Sequence, residues 1–177
     1  MSYPLGIVLQ LVRRLDTCPT ASPPEGWRLR HYAGGNDVKI WLSLREAAFA
    51  DSPINVRRWT PADFARELTS KSWWRPESLW FVESTEAGDP LVGAGAARAI
   101  GTATLAWRGS ADGRKPVIHW LGVLPEYRRR GVGRLLMAQL EQLAWHSGGR
   151  EVALETHTAW TDAVAFYRAL GYRAVQA

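Results

Sequence analysis

The stretch Arg128-Arg129-Arg130-Gly131-Val132-Gly133-Arg134, with its flanks, constrains this chain most. Before it, His119-Trp120-Leu121-Gly122-Val123-Leu124-Pro125 is short, apolar and closed by proline, which reads as a strand. After it, Val132–Trp145 carries apolar residues at helical spacing. A strand that turns through glycines directly into a helix belongs to a layered α/β domain. It is also an anion-binding arrangement. The first N–H groups of a helix lack intrahelical partners and sit at the positive end of the dipole. The glycines let main chain close around oxygens, and the arginines add charge. Taken alone, the stretch is equally a solvated basic turn. It is neither a dinucleotide fingerprint, since Arg-Leu-Leu follows Gly133, nor a P-loop, since Gly-Lys-Ser/Thr is missing.

The remaining chain fits around this unit. Residues 5–12 are rich in Leu, Ile and Val and read as a strand, followed by a Pro/Ser/Thr linker over 16–26. Trp27–Tyr32 is a second strand. A helix over Asp37–Ala50 is predicted from Ile40, Trp41, Leu44, Ala47 and Ala48, and Asp51-Ser52-Pro53 stops it. Thr60 as N-cap and Pro61 in the first position open another helix, with Phe64, Ala65 and Leu68 inward. Strands follow at 78–84, 99–107 and 116–123. The segment 85–97 reads as turn-rich and 109–115 as a polar turn. Gly148-Gly149 ends the long helix, and 151–156 is a strand. A helix capped by Thr161 or Asp162 runs to Gly171, and 172–175 begins a last strand. The order β, β, α, α, β, β, β, α, β, α, β predicts an α/β layer with a mixed sheet.

Composition narrows the partners. The 177 residues suit one core-forming domain. The net charge of +5 permits either nucleic acid or a small anionic ligand, but the basic residues are dispersed except at 128–134. That favours a local anion site and no nucleic acid. Cys18 is the only cysteine, so an intrachain disulfide is excluded and a cytoplasmic setting is expected. No apolar run approaches the ~20 residues of a membrane span, and Leu5–Val12 lacks the flanks of a signal peptide. Neither paired cysteines nor His-Glu-x-x-His occurs, so no metal is expected.

Two motifs make the reading specific. Val123-Leu124-Pro125-Glu126-Tyr127-Arg128-Arg129-Arg130-Gly131-Val132-Gly133 resembles motif A of the GNAT superfamily of N-acetyltransferases, V-x-P-x-x-R-x-x-G-x-G. Ala163-Val164-Ala165-Phe166-Tyr167-Arg168-Ala169-Leu170-Gly171-Tyr172 resembles motif B, A-x-x-F-Y-x-x-x-G-F/Y. Trp41–Asp51 and Trp59–Leu68 more loosely resemble mycothiol-synthase-like members. The resemblance runs from Trp27 to the C-terminus. It implies a mixed, mostly antiparallel sheet of six to seven strands with four helices. Residues 27–177 would be the acetyltransferase-like domain, and 1–26 an N-terminal strand and Pro-rich linker.

The resemblance also implies roles. Amides of Arg129, Arg130, Gly131, Val132, Gly133 and Arg134 would hold the coenzyme A pyrophosphate, with Arg128 in the same motif and the arginines near the 3′-phosphate. Main-chain groups of Leu121 and Val123 would pair with the pantetheine arm, and Phe166 would join the cofactor-binding set. Tyr167 would protonate the departing thiolate; the competing reading is an ordinary core aromatic on an apolar helix face. An acetyl-CoA-dependent transfer to a primary amine needs a base. His119 is the first candidate, four residues before Val123 and so expected on its face, with a pKa near working pH. A half-buried structural histidine is the competing reading, and Glu155 and His157 are second choices. Trp160 stands where the family often has an asparagine that contacts coenzyme A. It would pack on the pantetheine or shape the acceptor mouth, and a surface aromatic is the competing reading. Trp41, Phe49, Trp59, Trp73 and Trp74 are either pocket walls or core.

Room for only one strand after motif B would leave a sheet edge open. The 5–12 strand, or a second copy in a homodimer, is expected to cover it. The acceptor, a small molecule or a peptide amine, is not specified. A non-catalytic acyl-CoA-binding module on the same fold is the alternative.

Overall fold

The computed structural model describes residues 7–85, 97–109 and 113–175. Leu5, most of the 85–97 segment and the centre of the 109–115 turn lie outside them. Seven strands form one sheet: β1 Val8–Arg14, β2 Trp27–His31, β3 Leu79–Ser84, β4 Arg98–Arg108, β5 Lys115–Val123, β6 Glu151–His157 and β7 Arg173–Ala174. The helices are α1 Asp37–Ala48, α2 Pro61–Phe64, α3 Val132–His146 and α4 Thr161–Ala169. The order of elements is the one read from the sequence, and a π-helical turn, Ala65–Thr69, continues α2.

The strand order is β2-β3-β4-β5-β6-β1-β7. Every neighbouring pair is antiparallel except β5 and β6. The N-terminal strand does cover the edge of β6, from Val8 opposite His157 to Arg14 opposite Glu151. It goes further than edge cover, because β7 pairs with β1 and not with β6. Side chains pin it there. Arg13 Nη1 donates to Glu141 Oε2 at 2.7 Å, and Tyr172 Oη donates to Glu141 Oε1 at 2.8 Å. The Glu141 carboxyl is buried, which pushes its pKa up despite these two partners.

The two faces of the sheet hold different cores. A Cβ on Gly101 of β4 would stand 2.5 Å from Val132 Cγ1 and 3.1 Å from Leu136 Cδ1, so that face belongs to α3. A Cβ on Gly122 of β5 would meet Ala48 Cβ at 3.2 Å, so the other face belongs to α1. Val132, Leu135, Leu136, Met137, Leu140 and Ala144 are the buried apolar residues of α3. Under α1 and α2 lies a separate cluster of Trp41, Phe64, Leu68, Leu79 and Phe81, joined by Trp59, Trp74 and Trp120. Trp41, with no exposed surface, is core. Thr60 caps α2 as predicted, exchanging hydrogen bonds with Asp63.

Candidate active site

Strands β5 and β6 run parallel but pair only at Val117 with Ala153 and Ile118 with Leu154. Beyond that point β5 continues to Val123 without β6, while β6 stays paired to β1. Parallel strands that part leave main-chain donors and acceptors facing a wedge. Leu121 and Val123 both lie on this unpaired length.

The parting coincides with a β-bulge. Thr102 lies opposite Gly122 and Thr104 opposite His119, so one residue of β4 faces two of β5. Trp120 takes φ 55°, a left-handed conformation costly for a residue with a Cβ. The cost is offset by ring contacts, with its centroid 4.7 Å from Trp59 and 6.5 Å from Trp41.

The bulge corrects one expectation. Val123 lies opposite Gly101, on the α3 face, while His119 lies opposite Thr104, three residues along β4 and so on the other face. His119 and Val123 therefore do not share a face. The inserted residue reverses the alternation assumed from their spacing of four. His119 sits beside the Arg108–Glu155 ion pair, whose N–O distance is 3.0 Å. Burial first, then the charge of Arg108, lower the His119 pKa to about 4, against a smaller opposing pull from Glu155. Its expected titration near working pH is thus displaced, and the imidazole is neutral at pH 7. Glu155 is held by Arg108, and His157 Nδ1 accepts from the Ala159 N–H at 3.1 Å.

At the end of β5 the basic turn leads into α3. Gly131 is its N-cap at φ 101°, which only glycine adopts readily, and Arg129 has φ 62°. No side chain caps α3. The first helical acceptor is Gly131 O, taken by the Leu135 N–H at 3.0 Å, so the N–H groups of Val132, Gly133 and Arg134 precede the helical ladder. The four arginines divide their work. Arg128 donates to Ala48 O at 2.8 Å and Val123 O at 3.4 Å, tying the end of α1 to the end of β5. Arg130 lies over Tyr127 at 5.1 Å and Trp27 at 5.9 Å. Arg129 and Arg134 are exposed and make no ion pair among the described residues.

The second motif packs on the first. A Cβ on Gly133 would stand 3.1 Å from Phe166 Cζ, and Phe166 lies 5.4 Å from Tyr167, centroid to centroid. The spacing of Tyr167, Gly171 and Tyr172 is that of a helix C-cap. Gly171 is left-handed at φ 90°, the Tyr172 N–H reaches Tyr167 O at 3.0 Å, and the two tyrosine rings meet at 6.0 Å. Tyr167 is buried, and its hydroxyl makes no hydrogen bond among the described residues. Burial drives its pKa up, so the phenol keeps its proton. Across the wedge, Trp160 Nε1 donates to Ser52 Oγ at 2.9 Å, and its ring lies 5.7 Å from Phe49. Trp160 thereby joins the start of α4 to the segment after α1. A surface groove beside Trp73, Trp107 and Gly148 lies at the far end of α3 and holds none of these residues.

Residues 41–172 match the acetyltransferase (GNAT) family. The chain belongs to that family. Within it, the mycothiol acetyltransferase of Thermobispora bispora is 37% identical over 164 residues, covering 91% of this chain and 52% of that protein. The mycothiol acetyltransferase of Salinispora tropica is 34% identical over 178 residues, covering 97% and 53%. This GNAT chain thus spans about half the length of these curated relatives. Its fold is shared with a GCN5-related N-acetyltransferase from Sphaerobacter thermophilus, at a TM-score of 0.72 and 23% identity, covering 98% of this chain and 50% of the other.

Two residues of this candidate site escape the motifs. Trp120 is neither glycine nor asparagine, so nothing in its type announces a left-handed bulge. Arg45 does leave a signal. It is four residues after Trp41 and three before Ala48, which places a charge on the apolar face of α1.

Proposed function

We propose that the protein is an acetyl-CoA-dependent N-acetyltransferase that passes the acetyl group directly to a primary amine of a small molecule. One observation carries the reading: in a chain of this family, an uncapped, glycine-lined helix start stands at the end of β5, which has parted from β6. The residues fit the coenzyme. The left-handed turn at position 131 favours glycine and exposes main chain, and the N–H groups of Val132, Gly133 and Arg134 suit a pyrophosphate. Arg129 and Arg134 are the arginines left for the remaining phosphate. Main chain of Leu121 and Val123 faces the wedge that an extended pantetheine arm would enter.

Bound acetyl-CoA supplies a thioester carbonyl activated for attack by an amine. Nitrogen bonds to the carbonyl carbon, the carbon–sulfur bond breaks, and the thiolate needs a proton. Tyr167 is the proton donor: its phenol stays protonated, and its hydroxyl has no competing partner among the described residues. His119 is the candidate relay for the ammonium proton. Its low pKa makes it a weak base, and also keeps it from repelling a cationic amine. Trp160 and Phe49 form a wall of the acceptor mouth. The relatives' name, mycothiol acetyltransferase, is consistent with a small-molecule acceptor.

Thiol release across a panel of amines tests it. Tyr167→Phe is expected to lower kcat by roughly 100-fold with the acetyl-CoA KM unchanged. Coenzyme A binding without turnover on any amine would favour an acyl-CoA-binding module instead.

A further inference from the structure

Arg45 is a buried cation, 4% exposed, on the apolar face of α1. Its guanidinium carbon lies 4.7 Å from the Trp59 centroid, 4.9 Å from Trp120, and 5.9 Å from both Trp41 and Phe49. Its one hydrogen bond among the described residues runs from Nη1 to Arg57 O at 3.0 Å. Nε is buried without an acceptor among the described residues.

The nearby carboxylate is not available. Both Asp63 oxygens accept from Arg57 at 3.0 Å, one also from Arg66 at 2.6 Å, and the other from the Thr60 N–H and hydroxyl at 2.8 and 2.9 Å. Those contacts cap α2, so the carboxylate cannot turn to Arg45 without undoing the helix start. Arg57 adds a second positive charge beside Arg45. Ring faces compensate a buried guanidinium only in part, and an unpaired buried cation is costly.

The location gives this charge a use. Phe49, one of the covering rings, comes within 3.7 Å of where a Gly122 Cβ would stand and contacts Trp160. Trp120, another, is the bulge residue where β5 leaves β6. The rings that cover Arg45 therefore also border the candidate transfer site. With Nη1 engaged, the edge formed by Nε and Nη2 remains, a fork that matches one planar carboxylate in bidentate geometry.

We propose that Arg45 binds a carboxylate of the acceptor through this edge, making the substrates carboxylate-bearing amines. The assignment rests on the acetyl-transfer reading for the identity of the ligand, though not for the anion site itself.

The experiment compares glycine, β-alanine and 4-aminobutyrate with their carboxamides. For at least one pair the wild type is expected to favour the carboxylate by roughly thirtyfold in kcat/KM. Arg45→Gln is expected to reduce that preference to about threefold or less while the acetyl-CoA KM stays the same. Equal use of both members of every pair, or a preference kept by Arg45→Gln, overturns the assignment. Quenching of tryptophan fluorescence in the wild type, titrated with the same pairs, needs neither turnover nor a folded variant. Saturation by a carboxylate at roughly tenfold lower concentration than by its carboxamide supports the site, and identical titrations overturn it. No turnover on any amine, with the fluorescence preference intact, refutes acetyl transfer and leaves the Arg45 site standing.

Discussion

A methyl group on Gly133 would stand 3.1 Å from Cζ of Phe166, so the first turn of α3 and the ring preceding Tyr167 touch directly. Gly133→Ala must push Phe166 aside, and overpacking of this kind costs about 1–3 kcal/mol. Coenzyme A affinity is expected to fall about tenfold, equivalent to ~1.4 kcal/mol. Isothermal titration reads this, and unchanged affinity would detach the turn from coenzyme binding.

His119 makes stability depend on pH in a defined direction. Its folded pKa of about 4 lies below the ordinary 6.5, so between these values the unfolded chain binds more protons. The contribution is flat above pH 6.5 and is lost as pH falls toward 4. Urea unfolding at pH 7, 5.5 and 4.5 is expected to show a steeper loss in the wild type than in His119→Gln. Parallel losses would contradict the half-buried, neutral imidazole.

The same substitution separates the two roles of this histidine. As a proton relay, His119→Gln lowers kcat/KM by about 100-fold, the lower end of general-base effects. A purely structural imidazole leaves kcat/KM within about twofold in the folded variant, against the ~100-fold or more expected of a base. Initial rates at saturating acetyl-CoA decide it.

Arg13→Ala leaves Glu141 buried with Tyr172 as its hydrogen-bond donor. Removing one partner of a fully buried ion pair costs about 3–5 kcal/mol. Arg13 is about one-third exposed, so water reaches the gap and about 2 kcal/mol is expected. For a domain of this size that lowers Tm by about 4–8 °C. A shift below 1 °C in calorimetry would remove Arg13 as the pin of β1.

Deleting residues 1–15 strips both β6 and β7 of their shared neighbour. Loss of a single cooperative unfolding transition is expected, with recovery on adding a peptide of residues 7–15. A truncated chain that unfolds as sharply as the full one would show that β1 is dispensable.

What was legible in the chain was local. The turn at 128–134 announces itself because glycine conformation and helix-start N–H groups lie within a few residues. The Tyr167-Gly171-Tyr172 spacing is a helix cap written in sequence. The Trp120 bulge was not legible, because its left-handed backbone is supported by rings of Trp41 and Trp59 remote in sequence. The faces of His119 and Val123 were misjudged for that reason alone. A covering role for the N-terminal strand could be guessed from an apolar run and an open edge. Its position inside β7 could not, because register with residues 151–157 is a property of the assembled sheet. Arg45 was visible as a charge at a core spacing, but its missing counter-ion became apparent only once Asp63 was seen to be committed elsewhere.

The seating of β1 has a kinetic consequence. The Ile7 N–H bonds Thr158 Oγ1 across 151 positions of chain, and β7 docks on the strand so placed. Closing so long a loop is entropically slow, and topologies dominated by distant pairings fold slowly. Strands β2 to β5 can zip as successive antiparallel neighbours, leaving the wedge beside β5 with only one rim. The second rim, β6, gains its outer partner only when a strand made more than a hundred residues earlier returns to it. During synthesis, then, the basic turn at 128–134 would take shape before the sheet that braces it is closed.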